Sequence, residues 1–176
     1  PLSALNLVKA CEQAGIPKGV VNLVNGFGEA GAALVEHKDV RLISFTGSTN
    51  TGRIIAEQCA RDNKLVSLEM GGKNAIIVMD DADLNLAVDG ILWSAFGTAG
   101  QRCTACSRVI AQKGIHRDLM DRLVARTEKL RLGDGLLETT DVGPIINRRA
   151  LEGIHRYTGI GQASEALKDY PRAEEA

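Results

Sequence analysis

The chain has 176 residues, 44% of them hydrophobic, and a formal net charge of −1, enough apolar material for a domain core and no basic or acidic block that would call for nucleic acid or a disordered tail. Apolar runs such as Ala75–Met79 are far too short to span a bilayer, and the start carries no signal-peptide pattern. Cys11, Cys59, Cys103 and Cys106 are irregularly spaced and make no disulfide framework, so a reducing, cytoplasmic setting is expected.

The opening on Pro1 rather than Met and the polar close DYPRAEEA predict an internal piece of a longer chain. Ser3 is placed to cap a first helix, in which Leu5, Val8, Ala10 and Cys11 recur at helical spacing until Gly15 and Pro17 stop it. Val20–Val24 reads as a short buried strand, followed by the loop NGFGE. A helix is expected from Glu29 to His37, a strand from Arg41 to Phe45, and a helix from about Asn50 after the turn TGSTNTG. Two strands, from Leu65 to Leu68 and from Ala75 to Met79, flank a loop that holds Glu69. Asp80, Asp81 and Asp83 suit the positive end of a helix that runs through Ala95, better than they suit a divalent cation. A loop then presents Gly100 to Cys103. A strand from Arg108, an amphipathic helix from Asp118 and a last helix from about Asn147 complete the pattern. Strands alternating with helices predict an α/β fold with a parallel sheet and crossover helices, with a domain seam between Met79 and Cys103.

Three glycine-bearing segments hold the candidate chemistry. In FTGSTNTG, glycines 47 and 52 sit between a strand and a helix, where backbone can approach a phosphate and free N–H groups face it. The spacing is not G-x-G-x-x-G, so a tight turn that binds nothing is an equal reading. In LEMGGKNA, Glu69 follows an apolar strand and can serve as a general base; an exposed strand-end acid is the alternative. In GTAGQRCTACS, small residues leave Cys103 open, and Arg102 or the local amides would favour its thiolate. The alternative is a small buried hydrophobe. The pair Cys103 and Cys106 finds no second ligand pair for zinc among Cys11, Cys59, His37, His116 and His155, so no metal is expected. A thioredoxin-like redox pair fits poorly after so long an α/β stretch.

Glu69 and Cys103, thirty-four positions apart, occur with FTGSTNTG, LEMGGKNA and AGQRCTACSRV in that order, flanked by GIPKGVVNLVNGFG, DDADLNLAV and DVGPIIN. Together these resemble the aldehyde dehydrogenase superfamily through about Gln162. The resemblance implies oxidation of a small aldehyde to an acid, with NAD as cofactor and NADP as the alternative. Cys103 would be the nucleophile, its own backbone N–H helping to hold the oxyanion, and Glu69 the base that activates water. Gly47, Ser48 and Gly52 would meet the cofactor pyrophosphate, Met70 and Gly71 the nicotinamide, and Gly28 the adenine; Cys106 matches no catalytic position.

The resemblance also implies a fold: part of a Rossmann-like parallel-sheet cofactor domain plus the start of an α/β catalytic domain. Residues 1–98 would be the later part of the first, 99–165 the start of the second, and 166–176 a tail off the family pattern. The family's upstream oxyanion Asn and adenosine-binding Lys, and its downstream Glu-x-Phe-Gly-Pro segment, are not found in this stretch. A homo-oligomer, dimer or tetramer, is implied for the longer chain. A CoA-acylating enzyme of the same superfamily and a non-catalytic nucleotide-binding module are the competing readings, and Glu69 favours hydrolysis over the first. GTAGQRCT resembles the branch that oxidises semialdehydes.

Overall fold

The computed structural model describes residues 1–166; the expected tail lies outside them from residue 167 onward. Two compact units divide the chain after Gly71, and each holds a parallel two-stranded sheet whose strands are joined through a helix. The architecture is mixed α/β with parallel pairing, as expected from the alternating pattern.

In the first unit, α1 (Leu2–Gln13) begins earlier than Ser3, because the Pro1 carbonyl already accepts the Leu5 N–H at 3.0 Å. Ser3 therefore lies inside the helix and does not cap it. The stop at Gly15 is as expected: Gly15 takes φ +81°, its N–H returns to Glu12, and the Ile16 N–H returns to Cys11, a Schellman close. The expected strand at Val20–Val24 is absent. No strand of this unit offers it a ladder, and the segment turns instead, with the Asn22 side-chain amide donating to the Gly19 carbonyl at 2.8 Å.

The rest of the unit is α2 (Gly28–Glu36), β1 (Leu42–Gly47), α3 (Thr49–Arg61) and β2 (Leu65–Met70). β1 pairs with β2 from Leu42 opposite Leu65 to Gly47 opposite Met70. Alternation along both strands turns Ile43, Phe45 and Leu68 to one face, where they pack on Val35, Ile55 and Cys59. The Lys64 ammonium, almost wholly buried, caps the end of α2 by donating to the Val35 carbonyl and, at 2.9 Å, to the His37 carbonyl.

The second unit contains β3 (Asn74–Val78), α4 (Leu84–Phe96), β4 (Cys106–Ala111), α5 (His116–Thr127) and α6 (Arg148–Ala166). Asp83 caps α4, accepting from Asn85 and Leu86, so of the three acids it is the one that serves the helix start, while Asp80 and Asp81 lie in the turn ahead of it. Val78, Val88, Ile91, Leu92 and Leu119 form the core, with Ile76, Ala111 and Leu123 against it. β3 and α4 pack with β4 and α5 within this unit, which begins at Gly72. After α5, Arg131 grips Asp141 through its backbone N–H and two guanidinium nitrogens, and this holds the Asp141 carboxyl down at about 2.

Candidate active site

The first unit gathers most of the expected cofactor residues at the ends of its strands. Ser48 caps α3: its Oγ accepts the Thr51 N–H at 3.2 Å and lies 2.8 Å from the Thr51 hydroxyl. The Gly52 N–H returns to the Ser48 carbonyl at 2.9 Å, while the Thr49 and Asn50 N–H groups stand ahead of any helical partner, a positive end suited to a phosphate. Close packing explains both glycines of the turn. A Cβ on Gly47 would meet Phe45 Cζ at 2.5 Å, and one on Gly52 would meet Met70 Sδ at 2.5 Å. Met70 thus lies on the first turn of α3, which brings Gly47, Ser48, Gly52 and Met70 together, with Gly71 next in the chain.

Beside them, α2, β1 and α3 enclose a groove of about 630 Å³, lined among others by Phe27, Gly28, Gly31, Thr51 and Ile54. Its walls are apolar, and a Cβ at Gly28 or Gly31 would meet nothing within 4 Å, so the glycines leave a flat backbone surface. A flat apolar slot next to a helix N-terminus fits a dinucleotide, the heterocycle in the slot and the phosphates at the amides.

Glu69 differs from expectation in its local structure. It lies inside β2, opposite Thr46, and not in a loop. The strand alternation that buries Leu68 and Met70 in part sends Glu69 to the other face, exposed.

In the second unit, α4 leads into a short left-handed turn. Thr98, Ala99 and Gly100 take φ of +55°, +54° and +68°, a conformation that costs non-glycine residues about 1–2 kcal/mol each. A Cβ at Gly100 would strike the Ala95 carbonyl at 2.8 Å. Gln101 fastens the turn: its N–H returns to Thr98 at 3.1 Å, and its side-chain carbonyl accepts the Ile146 N–H at 2.9 Å.

Cys103 follows, exposed, while Cys106 is buried at the start of β4 with its thiol directed to the Arg108 carbonyl at 3.2 Å. The two cysteines of the CxxC pattern therefore occupy different environments. Arg102 does not serve as expected. Its guanidinium donates to the Trp93 and Ser94 carbonyls at 2.8 and 3.3 Å and stacks 4.1 Å from the Trp93 ring, covering the C-terminal end of α4. The Ser94 hydroxyl accepts the Cys106 N–H at 3.1 Å. Neither Arg102 nor Ser94 carried a readable sign of these roles, since both depend on how α4 ends. Among the described residues no three His, Cys, Asp or Glu side chains come together as a metal site, and no helix is long and apolar enough to cross a membrane.

A protein-family model described as the aldehyde dehydrogenase family matches residues 1–170. A betaine aldehyde dehydrogenase of Brucella anthropi is 43% identical over 166 residues, covering 94% of this chain and 34% of the relative. The fold matches a crystal structure of a double mutant of betaine aldehyde dehydrogenase from Staphylococcus aureus in complex with NAD+, with TM-score 0.87, 38% identity, and coverage of 93% of this chain and 33% of that one. An NADP-dependent enzyme of E. coli matches with TM-score 0.83 and 43% identity, over 89% of this chain and 33% of that one. The chain spans about a third of the length of the curated relatives it matches, 34%. It belongs to the aldehyde dehydrogenase family.

Proposed function

We propose that this chain carries the nucleophile, the base and part of the cofactor site for NAD(P)+-dependent oxidation of a small aldehyde to a carboxylic acid. The observation that carries the reading is the contrast within the CxxC pattern: Cys103 is held open in a braced turn while Cys106 is buried.

The Cys103 sulfur attacks the aldehyde carbon, and the carbonyl oxygen becomes an oxyanion that the Cys103 N–H can meet. Gly28, Gly47, Ser48, Gly52, Met70 and Gly71 would hold NAD(P)+, which when bound accepts the hydride from that carbon. A thioester on Cys103 remains. Glu69 takes a proton from water, the oxygen of that water adds to the thioester carbon, and the Cys103 thiolate leaves with release of the acid. The exposed position of Glu69 on β2 supports access to water.

The names of the relatives point to betaine aldehyde as the first substrate to assay, with semialdehydes beside it, and to NAD+ before NADP+. A homo-oligomer is expected by family resemblance, and four free cysteines fit a reducing cytoplasm. The test is Glu69→Gln with NAD+ and betaine aldehyde. The expected result is one equivalent of NADH with the acyl group left on Cys103, detected by mass spectrometry. Undiminished steady acid release would remove Glu69 from the mechanism.

A further inference from the structure

The segment just after Glu69 does more than connect two strands. Asn74, the first residue of β3, reaches across to the nucleophile turn. Its side-chain Nδ2 donates to the Cys103 carbonyl at 2.6 Å and lies 3.4 Å from the Ala105 carbonyl. Both partners are acceptors only, so the amide nitrogen is the group that must face them. One NH2 group bridging two carbonyls two residues apart curls residues 103–105 around itself.

Asn74 is itself fixed. It stands opposite Cys106 in the β3–β4 register, while Ala75 stands opposite Arg108, so Ser107 is an extra residue in β4, a bulge. The Ser107 hydroxyl donates to the Asn74 carbonyl at 3.4 Å, and the Arg108 guanidinium donates to the Lys73 carbonyl at 2.5 Å. The base of the amide is thus anchored on both sides of its own peptide.

The opposite side of the turn is left open. Among the described residues, the N–H groups of Cys103 and Thr104 donate to no acceptor, whereas that of Ala105 closes on Arg102 at 3.1 Å and that of Cys106 is taken by Ser94. The Cys103 carbonyl shares its peptide plane with the Thr104 N–H, so fixing that carbonyl on Asn74 holds the Thr104 N–H pointing the opposite way.

We propose that Asn74 is a positioning residue for the nucleophile: by holding the Cys103 carbonyl it keeps the Thr104 N–H of the same peptide turned out, beside the Cys103 N–H, toward the oxyanion that forms when the sulfur adds to a carbonyl. This rests on the reading of Cys103 as the nucleophile.

Two reagents separate positioning from simple access. Iodoacetamide alkylates a thiol by displacement at carbon and forms no oxyanion. p-Nitrophenyl acetate acylates it through a tetrahedral oxyanion, with the sulfur–carbonyl bond formed and nitrophenolate expelled. Both rates would be followed at Cys103 by mass spectrometry in the unaltered chain and in Asn74→Ala and Asn74→Asp, the second keeping the volume but losing the donor. Acylation is expected to fall about 10-fold, the size of one lost net hydrogen bond, while alkylation changes less than about 2-fold. Asn74→Ser, a shorter donor, should recover part of the loss. Cys106 must stay unlabelled, which shows that β4 remains formed. Acylation and alkylation falling together, or neither changing, would overturn the positioning role. No selective acylation of Cys103 in the unaltered chain would overturn the nucleophile reading itself.

Discussion

In β1–α3–β2 the chemically equipped end is where the strands finish; in β3–α4–β4 it is where they begin. Gly47, Ser48, Glu69 and Met70 lie at the carboxyl ends of β1 and β2, while Asn74 opens β3 and Cys103 precedes β4. The two ends differ electrostatically. A strand's carboxyl end feeds a helix N-terminus, where free N–H groups and a partial positive charge welcome phosphate. A strand's amino end is fed by a helix C-terminus, where free carbonyls and a partial negative charge oppose a thiolate or an oxyanion. The first motif needs only a cap and glycines. The second needs a cation on the end of α4, supplied by Arg102 on the Trp93 and Ser94 carbonyls, and a donor on the turn, supplied by Asn74.

The largest expected effect that probes this contrast is on the core that supports the second motif. Leu119→Ala empties a site that is 1% exposed and should cost about 2–5 kcal/mol. Amide exchange should accelerate in β3, α4, β4 and α5, with β1, α3 and β2 unchanged; uniform acceleration would mean that the two motifs stand or fall together. A smaller effect compares the two helix ends directly. Ser48→Ala and Arg102→Ala should each cost about 1 kcal/mol in denaturant unfolding. They should diverge in function: the first weakens NAD+ binding in calorimetry, and the second leaves it unchanged while slowing acylation of Cys103. The smallest effect is in the second unit's outer loop. Asp141, held at about 2 by Arg131 against an ordinary 3.8, adds stability that is full above the ordinary value and is lost as pH falls through about 2. Asp141→Asn should flatten the acid limb of a thermal stability profile over that window, and an unchanged profile would show that the pair contributes nothing.

Much of this was legible in the chain because local chemistry decides it. Acids at the start of α4, Gly15 as a stop and the strand–helix alternation each depend on residues a few positions apart, and the exposure of Cys103 follows from the small residues around it. Glu69 was misplaced in a loop because its neighbours Gly71 and Gly72 read as a turn, whereas pairing with β1 carries β2 through Met70. Val20–Val24 has strand composition and no strand beside it in its unit. The left-handed run at Thr98 and Ala99 opposes local preference and is held by Gln101 from a segment some forty positions on. The observed roles of Arg102, read from the sequence as a partner of the thiolate, and of Asn74 were hidden for the same reason: their partners are backbone carbonyls, and any residue supplies those.

The first unit's sheet has only two strands, so both outer edges carry unsatisfied backbone donors and acceptors. Leu42 and Leu65, 56% and 68% exposed, stand opposite each other and add apolar side chains to the face away from Val35, Ile55 and Cys59. Edges of this kind recruit further strands, from neighbouring molecules where nothing else covers them. Self-association that rises with concentration is the expected outcome, read by light scattering over a dilution series, and it makes protein concentration a variable to be controlled in every kinetic comparison of this chain.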